Sequence, residues 1–194
     1  ERGLSDFDVR HRFVLSSTWV LPFGRGRRWV SHGVGAKLLA DWEFSNIVTL
    51  QSGQPMSAIL PTAFSGTQSN GTDRPDLVAN PNRPASERTP DLWFNTSAFQ
   101  EPPIYFDALG AFSVPGNAGR NVITGPGLKV WDSSLERRLQ FSERANLILR
   151  ADFFNFTNHP NFDRPGLIFG TSNFGRISSA QNSRQVQFSL RFSW

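Results

Sequence analysis

Three histidines, His11, His32 and His159, are the first residues to test for chemistry, because imidazole ligates metals and moves protons near neutral pH. They lie far apart, without the HExxH or paired spacing that would bring two rings to one zinc ion. His159 precedes Pro160 and reads as a loop residue. Gly24-Arg25-Gly26 and Gly33-Val34-Gly35 begin like dinucleotide loops, but neither has the third glycine nor follows a buried parallel strand. Both read as turns. Asp73 and Asp76 have the chemistry for calcium or for a glycosidase acid pair, yet a solvated loop explains them more simply. Asn70-Gly71-Thr72 matches a glycosylation acceptor, which matters only in a eukaryotic secretory pathway. No GxSxG, P-loop or EF-hand spacing occurs. The expectation is a chain with no catalytic residue, metal ligand or cofactor, and no enzymatic activity.

Aromatic side chains are the remaining binding candidates. Trp93, Phe94, Phe99, Tyr105 and Phe106 cluster in one polar stretch. Such a cluster either offers a platform on which sugars or other ligands stack, or pins a long loop to its scaffold. The residue types alone leave both readings open.

Composition narrows the class of protein that could hold these residues. Aromatics make up 13% of the 194 residues, with 18 Phe and 6 Trp, too many for a disordered chain. No cysteine is present, which removes disulfides, thiolate metal sites and thiol nucleophiles together. Twenty Lys+Arg against 16 Asp+Glu leave a mild net charge of +4, and the one local basic cluster is Arg25, Arg27 and Arg28. Nucleic acid is therefore not an expected partner. Apolar runs, glycine excluded, never exceed three residues, as in Trp19-Val20-Leu21, so a spanning helix is excluded. The chain opens at Glu1 and its single methionine is Met56, so it is expected to be a piece of a longer protein.

The elements that must position these residues follow from period-two alternation. In the last ten residues Val186, Phe188, Leu190, Phe192 and Trp194 alternate without a break with Gln185, Gln187, Ser189, Arg191 and Ser193. That is a strand with one apolar and one wet face, long enough to cross a bilayer at a tilt. Four further segments follow the same rule: 9–21, 42–52, 129–141 and 146–158. Their apolar phases include Trp19, Leu21, Phe44, Val48, Leu135 and Leu149. Arg137 falls on the apolar phase of its strand, which is tolerable only near a membrane interface. A short helix is expected around Ala36 to Ala40.

Connection lengths alternate. Ser142 to Ala145 is a tight polar turn and Pro22 to Asp41 is of moderate length, whereas 61–127 and 159–184 are long. Soluble domains rarely hold a structureless stretch of the length of 61–127. Outer-membrane barrels place short turns in the periplasm and long loops outside, and a periplasmic C-terminus puts both long connections outside. The expected fold is all-β: an antiparallel, up-and-down transmembrane β-barrel segment of five strands, incomplete by itself. The alternatives are a secreted carbohydrate-binding β-sandwich and a passive porin or adhesin barrel.

Several ordered motifs carry a resemblance. They are Gly3-Leu4-Ser5-Asp6-Phe7-Asp8-Val9-Arg10-His11-Arg12-Phe13, Leu50-Gln51-Ser52-Gly53-Gln54-Pro55, Trp93-Phe94-Asn95-Thr96-Ser97-Ala98-Phe99, Gly116-Asn117-Ala118-Gly119-Arg120-Asn121, Phe154-Asn155-Phe156-Thr157-Asn158-His159-Pro160-Asn161-Phe162 and Phe174-Gly175-Arg176-Ile177. As an ordered set they resemble the C-terminal barrel portion (1–194) of a TonB-dependent outer-membrane receptor of the Oar-like, acidobacterial type. The resemblance implies a plugged barrel of about 22 strands in a Gram-negative outer membrane, taking up a ligand with energy delivered by TonB. The plug and the TonB-engaging segment would lie outside this chain. The implied partners are the lipid bilayer, TonB through a missing N-terminal region, an unknown transported ligand, and the barrel-assembly machinery. Phe188, Leu190, Phe192 and Trp194 are similar to the terminal signal that this machinery reads.

Overall fold

In a computed structural model, residues 2–24, 27–30, 32–62, 73–107 and 110–194 are described. Among them the order is β1 (Arg12–Val20), α1 (Gly33–Leu39), β2 (Trp42–Gln51), β3 (Pro55–Met56), β4 (Asp76–Leu77), β5 (Phe99–Gln100), β6 (Ile104–Asp107), β7 (Gly110–Ser113), β8 (Ile123–Thr124), β9 (Leu128–Gln140), β10 (Asn146–Phe154) and β11 (Gln185–Ser193). The chain divides into two compact units.

One unit, residues 12–50, 129–160 and 182–194, is built on a single sheet ordered β1-β2-β9-β10-β11. The β9–β10 and β10–β11 pairs are antiparallel, with Leu149 opposite both Arg137 and Leu190, and Ala151 opposite Leu135 and Phe188. Because side chains alternate along a strand, this register gathers the apolar phases of neighbouring strands on one face. The β9–β10 turn closes where the Phe141 amide reaches the Ala145 carbonyl at 2.9 Å and the Ser142 hydroxyl accepts from the Ala145 amide at 3.0 Å.

The strand ends have local causes. β10 stops at Phe154, short of the expected Asn158, because Asn155 turns the chain at φ 50°. Its side chain holds the turn: the amide nitrogen donates to the His159 carbonyl at 2.9 Å, and its oxygen accepts from the His159 amide at 3.0 Å. β1 begins at Arg12 rather than Val9, after a turn in which the Asp8 amide donates to Ser5. The helix forms at Gly33–Leu39, slightly before the expected Ala36–Ala40.

The second unit, residues 1–11, 51–128 and 161–181, gathers the described part of the long 61–127 connection into a compact unit. It has a hydrophobic core of Met56, Ala58, Phe94, Ala98, Phe99, Ala118 and Ile123, contributed by segments far apart in sequence. The 161–181 connection joins it, with the Ile59 amide donating to Leu167 at 3.0 Å and the Trp93 amide to Gly175 at 2.8 Å. Two glycines permit its close packing. A Cβ at Gly53 would lie 1.8 Å from the Gly125 oxygen, and one at Gly116 would lie 2.2 Å from the Arg74 oxygen. Residues 63–72, including the Asn70-Gly71-Thr72 acceptor, lie outside the described residues.

Candidate functional site

The sheet presents two chemically opposite faces. On the apolar phase, Phe188 and Leu190 are strongly exposed, Leu190 at 68%, and Trp19, Phe13, Leu15 and Phe192 are also exposed. A sandwich would cover such a face with a second sheet, so the β-sandwich reading fails here. Aromatic contacts mark both ends of the face. Trp131, Phe153 and Phe156 form one group, with ring centroids 5.2 and 5.7 Å apart. Trp19 with Phe44 at 6.5 Å, and Phe192 stacked on Trp194 at 5.6 Å, lie toward the other. Paired aromatic girdles bounding an apolar band are what lipid interfaces favour, because these rings combine apolar bulk with a polarisable face.

The opposite face is polar and charged. Arg150 pairs with Asp152 at 2.8 Å and with Glu136 at 3.4 Å, and Glu136 also meets Arg138 at 3.3 Å. The Thr18 and Ser45 hydroxyls hydrogen-bond at 3.0 Å. A hollow of about 290 Å³ on this face is lined by residues that include Ser45, Asp132, Arg150 and Asp152. This is the chemistry of a water-facing barrel lumen.

The five aromatic candidates separate in space. Phe94, at 1% exposure, and Phe99 are core residues whose rings meet edge-on at 5.9 Å, with Phe174 at 5.1 Å from Phe94. Their burial removes them from any ligand surface of this unit. Trp93 packs against the same core, and its indole donates to the Thr124 carbonyl at 3.0 Å. Arg88 stacks 5.6 Å from its ring centre, and partial burial lowers the guanidinium from its ordinary range. Tyr105 and Phe106 are instead exposed on the β6–β7 hairpin, Phe106 at 81%. Of the five, these two have rings exposed at the surface.

The other candidates take structural roles. Asp76 accepts the Asn117 amide at 2.7 Å, while Asp73 is buried in the loop unit. His32 stands immediately before α1, and His11 donates its backbone amide to the Ser52 hydroxyl at 3.0 Å. Gly33-Val34-Gly35 opens α1; Arg25 and Gly26 lie outside the described residues. The ordered motifs are largely fasteners. Asn121, at φ 59°, donates to the Leu4 carbonyl and to Asp6, both at 2.6 Å, and thereby ties the 116–121 motif to the 3–13 motif. Asn158 accepts the Arg184 amide at 2.9 Å. Spacing along the chain gave no sign of these partnerships, although clustered Asn and Gly did mark the turns.

An antiparallel sheet with a lipid-type face, a charged reverse face and one tight hairpin is the wall of an outer-membrane β-barrel. The chain belongs to the family described as Outer membrane beta barrel domain, whose model matches residues 1–187. Its place is the outer membrane of a Gram-negative bacterium. Comparison with curated proteins and with solved structures finds no match.

Proposed function

We propose that this chain is the C-terminal barrel wall of a TonB-dependent, Oar-like receptor, a non-enzymatic protein that imports a ligand through a plugged lumen. The observation that carries the reading is the loop unit, in which long connections are built around a core of their own rather than left as simple turns. Such a unit suits selective capture better than passive leakage, and its exposed Tyr105 and Phe106 are the contacts we assign to the ligand. Among the described residues the edge strands β1 and β11 each have one unpaired side in the five-stranded sheet, and unpaired edges in lipid are costly, so in this reading both pair with further strands of the parent barrel. The test is binding of the purified periplasmic domain of TonB to the intact protein in nanodiscs. Binding is the expected result. Its absence, together with steady ion conductance in a planar bilayer, would identify a passive porin.

The C-terminal strand is assigned as the assembly signal. Trp194 is strongly exposed and stacks on Phe192, so core packing does not explain it. Deleting Trp194, or Phe192→Asp, is expected to leave much of the intact protein in the periplasm for degradation. Outer-membrane fractionation checks this, and undiminished insertion of the deletion would refute the assignment.

A further inference from the structure

We propose that the β1–β2 connection is a membrane-interface anchor: α1 and the preceding Trp29 and Val30 lie in the headgroup boundary of the anionic glycerophospholipid leaflet, clamped to the lipid-facing side of the sheet by Arg137. The inference rests on the barrel topology proposed above, in which the tight β9–β10 turn is periplasmic. β2 begins beside the end of β9, so α1 shares that side of the barrel.

Arg137 is the residue that the alternation places among lipid-facing leucines, where hydrocarbon disfavours a bare guanidinium. It does not meet lipid unpaired. Its guanidinium donates to the Leu38 carbonyl at 2.8 Å and to the Lys37 carbonyl, and lies 5.9 Å from the centre of the Trp42 ring. The Trp42 indole donates to the same Leu38 carbonyl at 3.1 Å. The last carbonyls of a helix lack internal partners and carry its negative end, so a buried cation from the sheet satisfies both needs at once. Trp42 and Arg137 both belong to the lipid-facing phase, and the end of α1 is therefore tied to that face.

The side of this element turned away from the sheet is apolar. Val34 is 73% exposed, and Trp29, Val30, Leu38 and Leu39 are exposed with it, while Ala36 is buried. In water this group would cost free energy; at the headgroup boundary, continuous with the apolar face of the sheet, its burial is favourable. Arg27, Arg28 and Lys37 are exposed around it, and no acidic residue occurs between positions 27 and 40. That charge fits an anionic lipid surface, which attracts basic residues close to it.

The chain has no cysteine, so single-cysteine probes are simple to place. A fluorophore at Val34→Cys, Leu190→Cys or Glu143→Cys of the intact protein is read in vesicles of phosphatidylethanolamine and phosphatidylglycerol containing acyl-brominated lipid. The expected result is strong quenching at positions 34 and 190 and none at the polar turn, position 143. Replacing phosphatidylglycerol by phosphatidylcholine is expected to weaken quenching at position 34 by about twofold or more and to leave position 190 unchanged. Quenching at 190 without quenching at 34 overturns the anchor and leaves the barrel standing. No quenching at either position overturns both. Equal quenching at position 34 in the two lipid mixtures overturns the anionic headgroup assignment.

Discussion

Leu190→Arg is expected to destabilise the inserted barrel by about 2–4 kcal/mol, whereas Ser189→Arg one position away should cost much less. The two residues are consecutive on β11 and so point to opposite faces. Leu190 stands opposite Leu149 on the apolar face, and Ser189 opposite Arg150 on the charged one. An arginine at 190 must either be desolvated by hydrocarbon or drag headgroups and water inward. At 189 it enters water beside Asp152 and Glu136, with Arg150 as a nearby like charge. Denaturant titration of the intact protein in vesicles measures the difference. Equal losses at the two positions would show that the faces have been assigned wrongly.

The second large effect is expected in the loop unit. Phe94→Ala should cost about 3–5 kcal/mol, the range for removing a fully buried phenyl ring that its surroundings cannot replace. Phe94 touches Phe99 and Phe174 edge-on and lies in a core drawn from several loop segments, so one truncation loosens contacts between all of them. Phe106→Ala, on the exposed hairpin, should change stability by no more than about 0.5 kcal/mol, and if the hairpin meets the ligand it should weaken uptake instead. Hydrogen exchange at the amides of Trp93 and Ile59, both bonded within this unit, reports the loss. Similar protection in the two variants would mean that the aromatic cluster is not the core.

These two experiments probe parts of the protein that were unequally legible. The phase of β11 could be read from letters alone, because strand periodicity is local: each side chain's face is set by its neighbours two positions away. The lumen and lipid faces of the whole sheet follow once the register aligns five such patterns. Strand ends were less legible. β10 was expected to run to Asn158, but a left-handed Asn155 ends it, and that conformation is sustained by bonds to His159 that local propensity does not specify.

The loop unit was hardly legible at all. A stretch rich in Pro, Gly, Asn and Ser has no periodicity to read, and its core becomes apolar only when Met56, Phe94, Phe99, Ile123 and the flanking Phe174 converge from separate segments. The same holds for the aromatic candidates. Trp93, Phe94, Phe99, Tyr105 and Phe106 look alike in sequence, and only tertiary packing divides them into core and surface. Arg137 shows both sides of the division. Alternation by itself determined that this charge sits on the apolar face and needs an interface. Only the tertiary structure decided how it is tolerated, because the carbonyls that receive it belong to a helix about 100 positions earlier, and hydrogen-bond partners so distant along the chain are brought together by folding, not by pattern.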